Sequence, residues 1–137
     1  MAVERAATEL AAPRLNGNHL RTIRHHASER TIAAREGDID RYLRANFDFK
    51  FAIYRHCGNG HLLFLIETLW LQAGPFLRKL VEDTKMTASE VLDVDSHEIA
   101  VAALEAKNAQ KAREAIASDI RDAANYLLSH AKFRKPS

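Results

Sequence analysis

The sequence predicts an all-α protein, an antiparallel bundle of about six helices with a central polar cavity. Three observations support this prediction. Apolar residues recur at helical spacing along most of the chain, Asn and Asp stand where helix N-caps are needed, and no segment alternates like a β-strand. With 137 residues, 47% of them hydrophobic and 28% charged, the chain has the size and composition of a single globular domain over 1–137.

The first two predicted helices are delimited by a proline and by an asparagine cap. An Ala-rich segment over 2–12 ends at Pro13, which cannot continue a helix. Asn16 or Asn18 then caps a second helix that runs to about Glu36. The residues of this helix expected to face inward are Leu20, Ile23, Ala27 and Ile32.

The middle of the chain holds a third and a fourth predicted helix. Asp38 caps the third, which spans 39–57, and Asn59 caps the fourth, which spans about 61–74. The fourth is apolar nearly all round, so we expect it at the centre of the bundle, with a kink at Pro75.

The last third of the chain is predicted to contain a loop, two helices and a tail. Residues 81–95 have the composition of an internal loop, and Asp95 opens the helix that follows. Asn108 caps the last helix, over 109–131. The basic residues near the C-terminus are expected to form a solvated tail over 132–137.

Charge and composition narrow the function classes. A net charge of +2 is too small to indicate nucleic acid or a membrane surface as partner. Apolar runs such as 62–66 are far shorter than a membrane span. The single Cys57 excludes an internal disulfide and suits a reducing compartment, so we expect a cytoplasmic protein.

Four polar side chains lie on helix faces that should point inward. Asn46 and Lys50 share the apolar face of the third helix, one turn apart. His97 and Asp119 lie on the apolar faces of the two last helices. Since burying an unpaired polar or charged group costs several kcal/mol, on the order of 2–7 for a polar group, we expect these four side chains to be partners around an interior site.

Four segments of the chain resemble one bacterial family. They are 46–54 (NFDFKFAIY), 58–63 (GNGHLL), 66–75 (IETLWLQAGP) and 96–99 (SHEI). In this order and spacing they resemble the FCD domain, the C-terminal effector-binding domain of GntR-type transcriptional regulators of the FadR subfamily. The resemblance covers essentially the whole chain.

The resemblance implies a helical bundle that binds a small organic acid, in most members beside a divalent metal held by one Asp and three His residues. Asn46 corresponds to the Asp, and Lys50 to the His one turn later. His97 corresponds to the second His and Asp119 to the third, so three of the four positions depart from the pattern. The metal site of the family is degenerate here.

Lys50 is the decisive departure, because a protonated ammonium offers no lone pair and repels a divalent cation. We expect it to pair with Asp119 and to hydrogen-bond Asn46 and His97. No metal or other cofactor is expected; zinc or nickel, held by His97, Asp119 and Asn46, is the alternative. A small carboxylate effector would then bind to Lys50. Tyr54, one turn beyond Lys50, and Gln72 are further candidate ligand-binding residues.

Two functions follow from this interpretation. The first is a ligand-sensing regulatory domain that binds a small organic acid and has no enzymatic activity, since no nucleophile–base constellation is present. The alternative is a ligand-free FCD domain that acts as a dimerisation or interaction protein. Met1 falls within the family's first effector-domain helix, so we expect that helix to be truncated and the chain not to bind DNA directly. A homodimer, or a heterodimer with a related full-length regulator, is expected.

Overall fold

The structure, a computed structural model, describes residues 2–84 and 96–119. Within these ranges it contains six α-helices and no β-strand. The helices are α1 (Ala2–Ala11), α2 (Gly17–Glu36), α3 (Ile39–Tyr54), α4 (Gly60–Thr84), α5 (Ser96–Glu105) and α6, helical over 109–119. A 3₁₀ turn, Ala12–Arg14, links α1 to α2. The predicted all-α bundle is confirmed.

Four helices begin at the predicted caps. In each, the side-chain oxygen of the cap accepts a backbone N–H of the first turn, which satisfies a donor that the helix itself leaves unpaired. The caps are Asn16 of α2, Asp38 of α3, Asn59 of α4 and Asn108 of α6. Asn16, and not Asn18, caps α2, where the Asn16 N–H also donates to His19 Nδ1 at 3.2 Å.

A main apolar core joins the helices, and a smaller apolar cluster of Ala33, Ala34 and Tyr42 lies between α2 and α3. α2 packs against α3 and α5, and α1 packs against α3 and α4. The largest apolar side chains in this core are Ile23, Phe49, Phe51, Ile53, Ile66, Val101, Leu104 and Ile116. None of the described helices is long and apolar enough to cross a membrane.

The position of α4 differs from the prediction. Instead of lying at the centre of the bundle, it leaves a broad apolar face in solvent. The large apolar side chains of this exposed face are Phe64, Leu65, Leu69 and Leu71, with Leu71 80% exposed. A helix that is apolar all round carries no sequence signal for which side is buried, so its pattern could not reveal this face.

The end of α4 and the start of the predicted loop also differ from the prediction. α4 contains Pro75 and continues through Thr84, so 81–84 are helical and not part of a loop. The rest of the predicted loop, 85–95, lies outside the described residues. So do the end of the last predicted helix and the basic tail, both within 120–137.

Gly37 ends α2 in the left-handed conformation, with φ at +70°, and its N–H donates to the carbonyls of Ala33 and Ala34. We expect Gly37→Ala to lower the free energy of unfolding by about 1–2 kcal/mol, because a Cβ disfavours this conformation. The matched control is Gly60→Ala, at a helical position where an added Cβ meets nothing within 4 Å. Thermal denaturation that showed equal effects for the two variants would contradict the prediction.

Candidate functional site

Three charged side chains from three helices meet in the interior. Arg30 of α2 holds the carboxylate of Asp119 with both terminal nitrogens, Nη2 at 2.8 Å from Oδ1 and Nη1 at 3.2 Å from Oδ2. Lys50 Nζ of α3 lies 2.9 Å from the same Oδ2. All three residues are buried, with at most 6% of their surface exposed. We refer to Arg30, Lys50 and Asp119 as the cationic cluster.

The carboxylate of Asp119 is ionised in this setting. Burial would raise its pKa, but the charges of Lys50 and Arg30, with their hydrogen bonds, lower that pKa far below its usual range. Burial acts to lower the pKa of Arg30, but its interactions with Tyr42 and with the Asp119 carboxylate raise that pKa above its ordinary value. The cationic cluster therefore combines two positive charges with one negative charge.

The predicted pairing of Lys50 with Asp119 is present, but the predicted hydrogen bond from Lys50 to Asn46 Oδ1 is not, and the part of Arg30 in this cluster was not predicted. Its guanidinium lies over the rings of Tyr42 and Phe49, 5.7 and 5.9 Å from their centroids, a cation–π arrangement that favours a buried guanidinium. The missed signal is the spacing of buried residues along α2, which are Ile23, Ala27, Arg30, Ala33 and Ala34. Ile32, predicted to face inward, is 39% exposed because it lies off this stripe.

Asn46 and His97 are both buried next to this region. Asn46 is 8% exposed, and its Oδ1 has no hydrogen-bond partner among residues 2–84 and 96–119. His97 Nε2 lies 3.0 Å from Thr31 Oγ1, whose hydroxyl donates to the carbonyl of Ala27 at 3.2 Å. The Thr31 hydroxyl therefore links His97 of α5 to α2.

Tyr54 and Gln72 occupy different places. Tyr54 is fully buried, but its hydroxyl donates to Glu4 Oε2 at 2.6 Å and thereby joins α3 to α1. Burial, followed by the charge of Glu4, raises the pKa of Tyr54 well above its ordinary value, so the phenol remains a donor. Gln72 is exposed on α4, and the expectation that it faces the interior is wrong because α4 turns that side to solvent.

We expect Tyr54→Phe to lower the free energy of unfolding by about 1–3 kcal/mol, because the buried carboxylate of Glu4 loses its donor. The paired variant Glu4→Leu/Tyr54→Phe removes both partners, so it should recover most of that loss. Urea denaturation of the two variants and the wild type measures the difference. A double variant no more stable than Tyr54→Phe would contradict the importance of this hydrogen bond.

A divalent metal does not fit the donors described here. Both oxygens of Asp119 are held by cationic nitrogens, and Lys50 lies within 3 Å of one of them. At about 4 Å and an effective dielectric near 20, each of these cations would repel a divalent ion by roughly 8 kcal/mol. Within residues 2–84 and 96–119, no group of three or more His, Cys, Asp or Glu side chains is arranged to hold a metal. That the protein works without a metal stays a prediction.

The family assignment rests on a comparison that spans most of the chain. The model of the FCD domain family matches residues 1–122. This chain is an FCD domain. The match includes every residue of the cationic cluster as well as Asn46 and His97, so the interior site lies within the family's own fold.

The FCD domain is also similar to a known regulator. It is 28% identical over 116 residues to the HTH-type transcriptional regulator McbR of Escherichia coli strain K12, a match that covers 84% of this chain and 52% of McbR. The solved structure of E. coli McbR/YncC superposes with a TM-score of 0.85 at 26% identity, covering 93% of this chain and 63% of that one. The FCD domain thus spans about half the length of the curated relative that it matches.

Proposed function

We propose that this FCD domain senses a small organic acid on behalf of a transcriptional regulator and binds the acid's carboxylate through Lys50 and Arg30, without a metal ion. The charge of the cationic cluster carries the proposal, because two buried cations share one carboxylate. A ligand carboxylate supplies the second negative charge and accepts charge-assisted hydrogen bonds. The role is regulatory and not catalytic.

The similarity to McbR supports the regulatory part of the proposal. McbR is an HTH-type transcriptional regulator, and this chain matches about half of it. In our proposal the chain acts in the cytoplasm and does not contact DNA itself. Homodimerisation, or heterodimerisation with a related full-length regulator, would pass the signal on. Because the cationic cluster joins α2, α3 and α6, an acid bound there changes how these three helices are held together.

A thermal-shift screen of small organic acids, on protein treated with EDTA, tests the proposal. A ligand that binds only the native state stabilises it by about 2.7 kcal/mol at a concentration of 100 times its Kd. We expect at least one acid to raise Tm, and EDTA to leave that rise unchanged. Metal analysis of the purified protein accompanies the screen, since stoichiometric zinc or nickel would contradict the metal-free site.

Lys50→Met is the matched control for the screen. It removes one cation and leaves Asp119 paired with Arg30, so the fold keeps a neutral buried ion pair. We expect the variant to fold and to lose the acid-induced rise in Tm. A rise that persisted in Lys50→Met would show that the acid binds elsewhere.

The exposed face of α4 favours a second candidate, an interaction protein without a ligand. Monomers rarely leave a contiguous patch of this kind in solvent, and Phe64 and Leu71 are 67% and 80% exposed. For this candidate no acid shifts Tm, and sedimentation shows self-association, or binding to a related regulator, that Phe64→Ser/Leu71→Ser abolishes. The acid screen therefore separates the two functions.

A further inference from the structure

Two histidine rings stack where the first turn of α2 meets the turn that follows α3. The ring centroids of His19 and His56 lie 3.8 Å apart, with 26° between the ring planes, and both side chains are half-buried. Neutral rings in this arrangement attract each other through dispersion, whereas two imidazolium rings repel. The contact between α2 and the end of α3 at this point therefore depends on the protonation of the pair.

His19 is also part of the cap of α2. Its Nδ1 accepts the backbone N–H of Asn16 at 3.2 Å, while its own backbone N–H donates to Asn16 Oδ1 at 2.9 Å. A neutral imidazole that accepts on Nδ1 carries its proton on Nε2, so a second proton must go to Nδ1 and break this hydrogen bond. The added charge would also lie at the positive end of the helix dipole. Protonation of His19 thus weakens the cap and the stack together.

The charges that act on His56 are positive. Burial, followed by the charges of His19 and Arg55, lowers the pKa of His56. Neither of these charges favours an imidazolium ring, so His56 is held in its neutral form at neutral pH.

The other elements at this end of the bundle contribute cations or further imidazoles. The guanidinium of Arg14, from the 3₁₀ turn, lies against Gly58, where an added Cβ would come within 2.5 Å of its Cζ. Lys107, between α5 and α6, has its Nζ 3.5 Å from the carbonyl of Leu15. His61, in the first turn of α4, is exposed. A proton added to the stacked pair therefore enters a positively charged setting.

The turn after α3 also carries the single cysteine of the chain. Cys57 follows His56 directly, is 2% exposed, and its Sγ donates to the carbonyl of Asn59 at 3.4 Å. While His56 stays stacked on His19, the turn is held against α2 and the thiol is shielded. Loss of the stack would release the turn and admit solvent to the thiol.

We propose that the stack of His19 and His56 is an acid-released latch, which holds the turn after α3 on the start of α2 at neutral pH and opens in mild acid. Two neutral rings are needed to close the latch, so opening takes up protons. His19 lies about three turns before Arg30 along α2, so the latch is separate from the cationic cluster and independent of the proposed acid site.

The sign of the pKa shift fixes the pH range. Because the folded-state pKa of His56 is lowered, the contribution of the latch is complete above the unfolded pKa of about 6.5 and is lost as the pH falls from there. This range lies above the one in which the carboxylate of Asp119 is titrated, since burial is outweighed there by two cations that lower its pKa.

The rate at which Cys57 is labelled tests the latch in the full 137-residue chain. Dithiodipyridine reacts with thiols in mild acid as well as at neutral pH, and the rate at each pH is divided by that of the same chain unfolded in urea. We expect this ratio to rise about tenfold between about pH 7.5 and about pH 5.5, within the limit of tenfold per pH unit for each proton taken up. Circular dichroism should show the helices intact over the same range. A ratio that does not change with pH overturns the proposal.

Two double variants assign the rise to this pair. In His19→Gln/His56→Phe, glutamine keeps an acceptor for the cap and phenylalanine keeps a ring for the stack, but neither titrates, so the ratio should not change with pH. The matched control, His25→Gln/His26→Gln, removes the neighbouring histidines of α2, whose rings are tilted by 58° at 5.5 Å, and should keep the wild-type rise.

The same rise in His19→Gln/His56→Phe, or its loss in His25→Gln/His26→Gln, overturns the latch. If His19→Gln/His56→Phe does not fold, His56→Phe alone decides, because a rise as steep as that of the wild type would show that His56 takes no part in the opening.

Discussion

Replacing Asp119 with asparagine should lower the free energy of unfolding by about 3–5 kcal/mol, the usual cost of leaving a buried charge without its partner. Here the loss falls on two cations at once, because Arg30 and Lys50 both depend on this carboxylate. Asparagine preserves the volume, so the effect reports charge and not packing. Urea denaturation, followed by circular dichroism, measures it.

Glu105→Gln is the control for this variant. Glu105 pairs with Arg24 at 2.6 Å, but both side chains are more than 40% exposed, and exposed pairs contribute little to stability. We expect its Tm to stay close to that of the wild type. A comparable loss in both variants would show that the cationic cluster is no more important than a surface ion pair.

The same carboxylate makes stability depend on pH in the acid range. The folded-state pKa of Asp119 is depressed, so its contribution is complete above the unfolded pKa of about 3.9. The contribution is lost as the pH falls from there towards the lower folded-state value. Asp119→Asn should therefore show a shallower decline in stability below about pH 4 than the wild type. Parallel acid-denaturation curves would contradict this assignment.

The second large expected effect is the loss of the acid-induced rise in Tm, without loss of stability, when all three residues of the cationic cluster are replaced by apolar ones. In Arg30→Met/Lys50→Met/Asp119→Leu no charge remains unpaired, and replacing buried ion pairs with apolar side chains is often neutral or stabilising by about 1–4 kcal/mol. We expect this triple variant to be at least as stable as the wild type and to show no acid-induced rise in Tm. The charges of the cationic cluster would then be required for ligand sensing but would not stabilise the fold.

Two results would contradict this expectation. A triple variant that unfolds as readily as Asp119→Asn would mean that the cluster is needed for the fold itself. A triple variant that still responds to acids would mean that the ligand site lies elsewhere. Lys50→Met falls between the two variants, since it keeps the bidentate pair of Arg30 with Asp119.

Much of the fold could be predicted because its signals are local. A cap such as Asp38 acts through one hydrogen bond within its own first turn, at 3.1 Å to the Arg41 N–H, and so it can be recognised without the tertiary structure. The inward position of Lys50 was predictable for a similar reason, since α3 has a clear apolar face. The partner Asp119 followed from the need to neutralise a buried ammonium.

The parts that sequence reasoning missed depend on tertiary contacts. Arg30 looks like an ordinary surface residue until the rings of Tyr42 and Phe49 are placed beside it. The wrong orientations of Ile32 and Gln72 have a related cause. α4 is too uniformly apolar for periodicity to fix which side is buried, and in α2 the buried stripe continues from Ile23 and Ala27 to the charged Arg30 instead of to Ile32.

The cationic cluster also bears on how the chain folds. Arg30 and Lys50 belong to consecutive helices, whereas Asp119 follows Arg30 by 89 positions. α2 and α3 pack against each other more extensively than any other pair of described elements, but without α6 they leave Arg30 and Lys50 without their shared carboxylate. Full burial of these two cations therefore requires the distant helix that carries Asp119.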